Sequence, residues 1–533
     1  EGEASIDRYL NGTLDDLYDP MLLKDMERAV SILCEAVDTG KKIRIVGDYD
    51  IDGVCSTYIL LQAFERLGSD VDFEIPDRIK DGYGINESII EQAHADGVEV
   101  ILTCDNGISA FHQVELAKKY GMTVVITDHH EVPLDGEKEK IPPADAVIDP
   151  KQADCPYPFP EICGAVVAYK LVQVLYARRG VPQMEWLDLL EFAAIATVGD
   201  VMKLQDENRI LVKYGLKKMA QTKNLGLRRL AEKNNLDLGA ITAYHIGFVI
   251  GPCLNAGGRL KTAKEALALL RAQSEEEAER LAEELKELND TRKDMTEQGT
   301  EAAKLQVESW YQKDKVLVVF LPECHESLAG IIAGRLREYY QKPAIVLTRG
   351  EEAVKGSGRS IDEYHMFKKL TEVSDLLLKF GGHPLAAGLS LEEKNIDEFR
   401  RRLNENAGLT EEDFKAKVWI DVPMPVGYVT ERLVRELSCL EPFGQGNEKP
   451  LFAEKSLRIR ASRVLGRNRN VVKMTLEETD GHAIEALYFG DGTAFEEERA
   501  GRREIDVVYY PDINEYNGRK TLQAVIRRYK FRG

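Results

Sequence analysis

The chain has 533 residues, 44% hydrophobic and 30% charged, with 71 Lys and Arg against 91 Asp and Glu for a net charge of −20. At about 100–200 residues per domain it is too long for one core, so three or four domains are expected, and no apolar run approaches the ~20 residues of a membrane span. The eight cysteines show no metal-ligand or redox spacing, and Cys55, Cys104 and Cys253 fall in predicted core, which argues for a reducing cytoplasm over secretion. No signal peptide is visible, and a first residue of Glu points to a trimmed N-terminus.

From Met21 to Asp149 the pattern predicts alternating strand and helix: Ile43–Val46, a helix over Val54–Leu67, Val71–Ile75, a helix near Glu87–Ala95, then strands over Val98–Leu102 and Met122–Ile126. This is the signature of a doubly wound α/β domain. Cys163–Leu270 reads as mostly helical, with Asp200 closing the segment Leu187–Val198 and the glycine-rich run Gly251–Arg259 as a loop. Ser274 to about Gln312 predicts one long charged helix without a clean heptad, its acidic first turn matching the macrodipole, and it is read as a rigid spacer. A second, smaller α/β unit follows: Val316–Phe320, a helix over Leu328–Tyr340, Ala344–Leu347, a Ser-Gly-Arg loop, a helix through Leu376–Lys379, and Gly381–Gly388. From Val418 onward, short strands at Leu457–Ile459, Val471–Leu476, Ala483–Phe489, Ile505–Tyr510 and Thr521–Ile526, with turns at Glu478–Gly481 and Tyr516–Gly518, predict a small barrel.

The net charge counts against a polyanionic partner, but its distribution does not. Lys455–Lys473 holds seven basic residues and no acid, and Asn517–Gly533 holds six and none, so an acidic body carries a basic C-terminal face suited to nucleic acid. Tyr488, Phe489, Tyr509, Tyr510 and Tyr516 are the barrel aromatics available for base stacking, though each taken singly fits a core position better.

Four acid and imidazole groups punctuate the first domain: Gly47-Asp48-Tyr49-Asp50-Ile51-Asp52-Gly53, Thr103-Cys104-Asp105-Asn106-Gly107, Thr127-Asp128-His129-His130 and Thr197-Val198-Gly199-Asp200. Three of them follow apolar strands, which brings them to one sheet edge, where open α/β sheets bind ligands. A lone Asp at a strand end is commonly a helix cap, and Asp48 fits that role. Capping gives no reason for the Asp50 and Asp52 pair or for adjacent histidines. So many carboxylates would repel one another without cations between them, and oxygen ligands with one or two imidazoles suit Mn2+ or Mg2+.

This series resembles the DHH phosphoesterase superfamily, named for the triplet seen here as Asp128-His129-His130. Gly356-Ser357-Gly358-Arg359-Ser360, Gly381-Gly382-His383-Pro384 and Leu440-Glu441-Pro442-Phe443-Gly444-Gln445-Gly446-Asn447 extend the likeness from about Asp19 to the C-terminus, and make it similar to the branch of single-strand-specific 5′ to 3′ DNA exonucleases. The resemblance implies a DHH domain with a helical subdomain over 1–272, a connector helix over 273–313, a DHH-associated α/β domain over 314–412 and an OB-fold barrel over 413–533. It implies two Mn2+ or Mg2+ ions held by Asp50, Asp52, Asp105, His129 and Asp200, with Asp105 between them. His130 is then a hydrogen-bond donor to the scissile phosphate or to a ligand, and Asp128 orients its neighbours. Many relatives place a His four residues before the first acid of the Asp-x-Asp pair, where this chain has Val46, so water or Asp48 completes the first ion's shell and one ion is expected to be weakly held. Arg78, Arg259, Ser357 and Arg359 match a 5′-phosphate pocket, and His383 matches a contact to the strand backbone.

The implied activity is two-metal hydrolysis of single-stranded DNA from its 5′ end, releasing mononucleotides in repair and recombination. A single-strand-binding protein and a helicase are the implied partners. The alternatives are a phosphodiesterase of short oligonucleotides or cyclic dinucleotides, against which the barrel counts, and a catalytically inactive single-strand-binding scaffold, against which the intact acids count.

Overall fold

A computed structural model describes residues 2–79, 81–516 and 518–532. Asn517, in the predicted turn and at the head of the second basic run, lies outside them, as do Gly533 and the side chain of Tyr516.

The first sheet has strands β1 (Ile43–Val46), β2 (Val71–Glu74), β3 (Val100–Cys104) and β4 (Thr123–Thr127); after a two-strand ribbon of β5 (Leu134–Asp135) and β6 (Lys138–Glu139), β7 (Ala146–Ile148) completes it. The order is β2-β1-β3-β4-β7, and every neighbouring pair is parallel. Strands β1, β3 and β7 are buried along their whole length, which is why they read as unbroken apolar runs. The exception is Arg44 in β1, whose guanidinium forks onto both oxygens of Asp72 at 2.7 and 2.8 Å and reaches Asp96 at 2.8 Å. Helix Ile51–Arg66 leaves β1 and is buried almost throughout, packed against helices Gly164–Arg179 and Leu190–Gly199.

The connector is helix Glu275–Gln306, capped by Ser274 accepting the Glu277 N–H at 3.2 Å and running into a π-turn over Val307–Tyr311. It is more than a spacer. Ala278, Leu281, Ala282 and Leu285 are buried in its first half, which packs on helices Leu225–Lys233 and Gly251–Leu260, while Ala303 near its end joins the core of the next sheet.

That second sheet contains β8 (Leu317–Phe320), β9 (Ala344–Arg349), β10 (Val354–Arg359), β11 (Leu377–Gly382) and β12 (Ala386–Leu391), ordered β11-β12-β10-β9-β8 with only β8 and β9 parallel. Two expectations fail here. The Ser-Gly-Arg segment lies in strand β10, and a Cβ at the preceding Gly356 would stand 2.5 Å from Leu347 Cδ2, so that glycine admits close packing and does not turn the chain. The helix expected through Leu376–Lys379 is a single 3-10 turn, Ser374–Leu376, followed by β11.

The C-terminal barrel comprises β13 (Val422–Pro423), β14 (Phe452–Leu465), β15 (Val471–Glu477), β16 (Ala483–Phe489), β17 (Glu504–Tyr516) and β18 (Arg519–Phe531), ordered β13-β14-β15-β16-β18-β17 and closed by pairing of β14 with β17. Its core takes Tyr509 outright and Tyr488 at its edge, whereas Phe489 is exposed and Tyr510 lies beneath the cations of Lys449 and Arg527.

The chain forms two compact units: one joins Glu1–Asp16, Lys203–Arg209 and Lys417–Gly533, the other Leu17–Met202 and Ile210–Ala416. Within the first, Arg209 is 2% exposed and donates to the carbonyls of Tyr9, Leu440 and Cys439, each at 2.9 Å, with its guanidinium carbon 4.1 Å from the centre of the Tyr9 ring. Leu204 N–H donates to Gln445 O at 2.7 Å and the Gln205 amide to Gly446 O at 2.9 Å. The Leu440–Asn447 motif is thus a receptor for a distant segment of its own chain.

Candidate metal centre and phosphate pocket

The loops that leave β1, β3 and β4 carry the acids and imidazoles singled out in the sequence. Asp50 caps helix Ile51–Arg66, accepting the Asp52 and Gly53 N–H groups at 2.9 and 3.2 Å. Asp52, fully buried, accepts Gly164 N–H and Ala165 N–H on its two oxygens at 2.7 Å each, so the N-terminus of helix Gly164–Arg179 holds its charge. Asp105 takes a left-handed φ of 61° as the chain leaves β3, and its N–H donates to Thr127 O at 3.1 Å. A Cβ on Gly164 would approach Asp105 Cβ to 2.8 Å, so only glycine lets that helix end reach the carboxylates.

His129 joins the group. Its Nε2 lies 3.1 Å from Asp105 Oδ1, 3.4 Å from Asp52 Oδ2 and 3.9 Å from Asp200 Oδ2. Three overlapping triads place ligand atoms within 4.8 Å of one another: Asp52, His129 and Asp200; Asp105, His129 and His130; Asp48, Asp50 and Asp105. Asp105 belongs to two of them, as a shared ligand must.

The electrostatics fit a cation. Burial, then the neighbouring carboxylates, push Asp48 and Asp105 well above the usual carboxylate range; burial also raises Asp52, with His129 opposing it, and burial with Asp52 and Asp50 takes Asp200 to about 8. Burial lowers His129, keeping its imidazole neutral. Asp48 Oδ2 and His129 Nδ1 are buried without a partner among the described residues. Hard oxygen donors with one neutral imidazole suit Mn2+ or Mg2+.

Asp128 stands outside these triads. It accepts Ile108 N–H at 2.9 Å, His129 N–H at 2.7 Å and the His130 ring at Nδ1, 2.7 Å. Burial opposes its charge, yet the His130 bond holds Asp128 below its ordinary value; the same bond overcomes burial and raises His130 to about 9. Val46 is a buried β1 residue whose carbonyl accepts the Asn106 amide at 3.0 Å.

Two further residues escaped the sequence reading. The Tyr83 hydroxyl donates to Asp105 O at 2.8 Å and lies 3.0 and 3.1 Å from the two His130 ring nitrogens. Asp149, fully buried just beyond β7, accepts Lys151 N–H at 2.8 Å, and burial followed by Asp128 pushes it up to about 7. Tyr83 sits between two left-handed glycines and reads as a turn, while Asp149 follows a strand of only three residues.

Beside the acids lies a cavity of about 660 Å³ lined by Tyr49, Arg78, Arg259, Ser357 and Arg359 among others. Tyr49 stands in the chain between Asp48 and Asp50, so cavity and acids share a wall. Arg259 Nη1 donates to Ser327 O at 3.0 Å, Arg359 Nη1 donates to Gly358 O at 2.8 Å and Ser357 Oγ at 3.3 Å, and the Arg78 guanidinium carbon stands 4.7 Å from the Tyr49 ring centre. Among the described residues none of these arginines has an ion-pair partner. Burial, then Arg78, lowers Arg259 to about 10; burial, then Arg337, lowers Arg359. Clustered, half-buried guanidiniums call for an anion. His383, exposed between β11 and β12, lies outside this cavity.

Arg259 comes from the run expected to be a loop. Gly251–Leu260 is a helix, and its glycines serve close approach: a Cβ on Gly258 would lie 2.3 Å from Tyr49 O. Gly258→Ala is therefore expected to push the helix off the Asp48–Asp50 loop and cost about 1–3 kcal/mol, read as a lowered urea midpoint with an unchanged slope.

Fold and site together define a DHH-type phosphoesterase: the DHH family N-terminal domain model matches residues 42–197, the DHHA1 domain 313–408 and the RecJ OB domain 420–528. The chain is 38% identical over 516 residues to the single-stranded-DNA-specific exonuclease RecJ of Bacillus subtilis, covering 96% of this chain and 64% of that protein. It is 35% identical over 527 residues to that of Escherichia coli, covering 95% and 90%. The crystal structure of Thermus thermophilus RecJ in complex with Mn2+ superposes with a TM-score of 0.84 at 29% identity, covering 98% of this chain and 74% of that one, and a Mg2+ complex of the same protein also matches. The chain belongs to the RecJ family.

Proposed function

We propose that this chain hydrolyses single-stranded DNA from its 5′ end and releases 5′-mononucleotides. The observation that carries the proposal is the shared Tyr49 wall between the carboxylate–imidazole cluster and the arginine cavity, which sets an anion site beside a metal site. The proposed ligands are Asp50, Asp52, Asp105, His129 and Asp200. Asp48, with its unpartnered buried oxygen, takes the place that Val46 cannot fill. Bound Mn2+ or Mg2+ supplies a water of lowered pKa and polarises the phosphoryl oxygens.

The protein's own groups do the rest. Asp128 fixes His130 through Nδ1 and keeps it charged at neutral pH, so that its Nε2 proton meets the developing negative charge on the scissile phosphate. Tyr83 steadies that ring and the Asp105 backbone. Arg78, Arg259, Ser357 and Arg359 hold the terminal 5′-phosphate, and His383 contacts the strand between the two α/β domains. The exposed basic β14–β15 stretch of the barrel holds the incoming chain by its backbone. The domain division proposed is 1–272, 273–313, 314–412 and 413–533. The eight free cysteines support work in the cytoplasm, in repair and recombination, where a helicase and a single-strand-binding protein would present the strand.

The test is 3′-labelled, 5′-phosphorylated single-stranded DNA incubated with Mn2+, Mg2+ or chelator beside a blunt duplex. Metal-dependent shortening of the single strand alone is expected. Cleavage of dinucleotides only, or tight binding without cleavage, overturns the proposal. Arg359→Ala is expected to lower the preference for 5′-phosphate over 5′-hydroxyl ends about 10–100-fold, the value of one charge-assisted bond, read as a ratio of kcat/KM values.

A further inference from the structure

A single 5′-phosphate fills only part of the arginine cavity. The space of about 660 Å³ that holds Arg78, Arg259, Ser357 and Arg359 is lined further by Arg335 and Lys355, with Glu326 and Glu338 as its acids. Both acids are already paired, Glu326 with Lys355 at 2.8 Å and Glu338 with Arg337 at 2.8 Å. Among the described residues Arg335, like Arg78, Arg259 and Arg359, has no ion-pair partner, so the guanidiniums of all four line the cavity uncompensated. A terminal monophosphate brings about two negative charges, which leaves about half of that positive charge unanswered. The repulsion is continuous: after burial, Arg78 and Arg292 lower Arg259, and after burial Arg335 lowers Arg292.

The surplus lies in one direction. Tyr49, between Asp48 and Asp50, closes the cavity on the side of the acids. Helix Glu326–Tyr340 forms another wall, and its glycines keep a channel open beside the arginines. A Cβ on Gly330 would stand 2.8 Å from both Arg359 Nη2 and Ser357 Oγ, whereas one turn on, a Cβ on Gly334 would meet only Arg359 Cγ, at 4.0 Å. Arg335 follows at the mouth, exposed, where it also lines a second cavity with Thr300 and Lys304 of the connector helix. From Gly330 to Arg335 is about 7.5 Å of helix, the reach of a short phosphate chain. The nucleoside of a bound 5′ end points to the acids, so further phosphates on that end point to Arg335.

We propose that this extension is a subsite for a 5′-terminal triphosphate, with the α-phosphate at Arg78, Arg259, Ser357 and Arg359 and the β- and γ-phosphates running along Gly334 to Arg335. The proposal rests on the exonuclease reading for the place of the α-phosphate. A triphosphate carries about four charges at neutral pH, about one for each unpaired guanidinium. In the first turnover water attacks the phosphorus between the first and second nucleotides, the bond from that phosphorus to the first nucleotide's 3′ oxygen breaks, and that oxygen takes a proton. The first product is then a nucleoside 5′-triphosphate with a 3′-hydroxyl. The shortened strand keeps a 5′-monophosphate, and every later product is a monophosphate. Such ends arise where a polymerase opens a chain with an unprimed nucleoside triphosphate, so a reaction of that class supplies the substrate.

The test measures binding and turnover separately. In chelator, fluorescence anisotropy gives the Kd of dT hexamers ending in a 5′-hydroxyl, a 5′-monophosphate or a 5′-triphosphate, for the wild-type protein, Arg335→Ala and Arg335→Lys. Wild type is expected to bind the triphosphate about tenfold or more tighter than the monophosphate, the value of one added charge-assisted contact. Arg335→Ala should lose that gain while binding the monophosphate within about twofold of wild type, and Arg335→Lys should keep part of it. In Mn2+, wild type should release dTTP once per triphosphorylated strand and dTMP thereafter. Equal affinity of wild type for the two phosphorylated ends, or a gain that persists in Arg335→Ala, overturns the subsite. Free dTTP that displaces the monophosphorylated hexamer as strongly as the triphosphorylated hexamer does assigns the cavity to loose nucleotides and overturns the proposal. Absence of cleavage on every strand, with the triphosphate gain present in wild type and lost in Arg335→Ala, overturns the exonuclease reading and leaves the subsite standing.

Discussion

Asp105→Ala is expected to lower kcat/KM on a 5′-phosphorylated single strand at least about 1,000-fold, or ~4 kcal/mol of transition-state stabilisation, while strand binding survives. Asp105, like His129, belongs to two of the three ligand triads, and its carboxylate is the nearest to His129 Nε2, so its loss reaches both proposed ion sites at once. The same substitution should act oppositely on stability. Asp52, Asp50, Asp48 and Asp200 all repel the Asp105 carboxylate, so once chelator has removed metal the variant should melt above wild type, and added Mn2+ should stabilise wild type far more than the variant. Thermal melts with and without metal, run beside single-turnover cleavage, check both halves. Activity within tenfold of wild type would remove Asp105 from the centre of the site.

Arg209→Ala should be the most damaging substitution away from the chemistry. It removes the Arg209 donor from the carbonyls of Tyr9, Cys439 and Leu440, of which Leu440 O keeps the Asn447 amide at 2.9 Å, and leaves a cavity where a buried side chain stood, at an expected cost of about 2–4 kcal/mol and a fall of about 10 °C in the melting of the unit that holds the barrel. Arg209→Lys should recover less than half of this, since one ammonium cannot span three carbonyls in the guanidinium plane. Hydrogen exchange of the barrel amides reports the opening directly, and exchange unchanged in the alanine variant would show that the three bonds are dispensable.

Much of the first domain was legible because its chemistry and its periodicity coincide. Strands β1, β3 and β4 are apolar runs buried on both faces, and each delivers its acid or imidazole in the residues that follow, so reading the strands located Asp48, Asp50, Asp105 and His129 at one edge. Glycine misled where it served packing. Gly251–Arg259 and Gly356–Arg359 look like loops in sequence because the residue that permits a turn also permits two backbones to touch, and composition does not tell these apart. Tyr83 and Asp149 were hidden for another reason: each acts through a backbone or carboxylate brought near by the fold, with no local pattern to announce it. The union of Glu1–Asp16 and Lys203–Arg209 with the barrel is a contact at long range, to which no periodicity within a window responds.

That union also sets a clock on biosynthesis. The Tyr9 hydroxyl donates to Asn447 Oδ1 at 2.7 Å, across 438 positions of sequence. At about 5–20 residues per second, tens of seconds pass between the emergence of one partner and the other. Helix Glu3–Asn11 and the Lys203–Arg209 strip can meet once the strip is made, Arg8 pairing with Asp206 and Arg209 donating to Tyr9 O, but their bonds to Leu440 and Asn447 wait for that later segment. Closure of this unit therefore waits for residues made 438 positions after Tyr9.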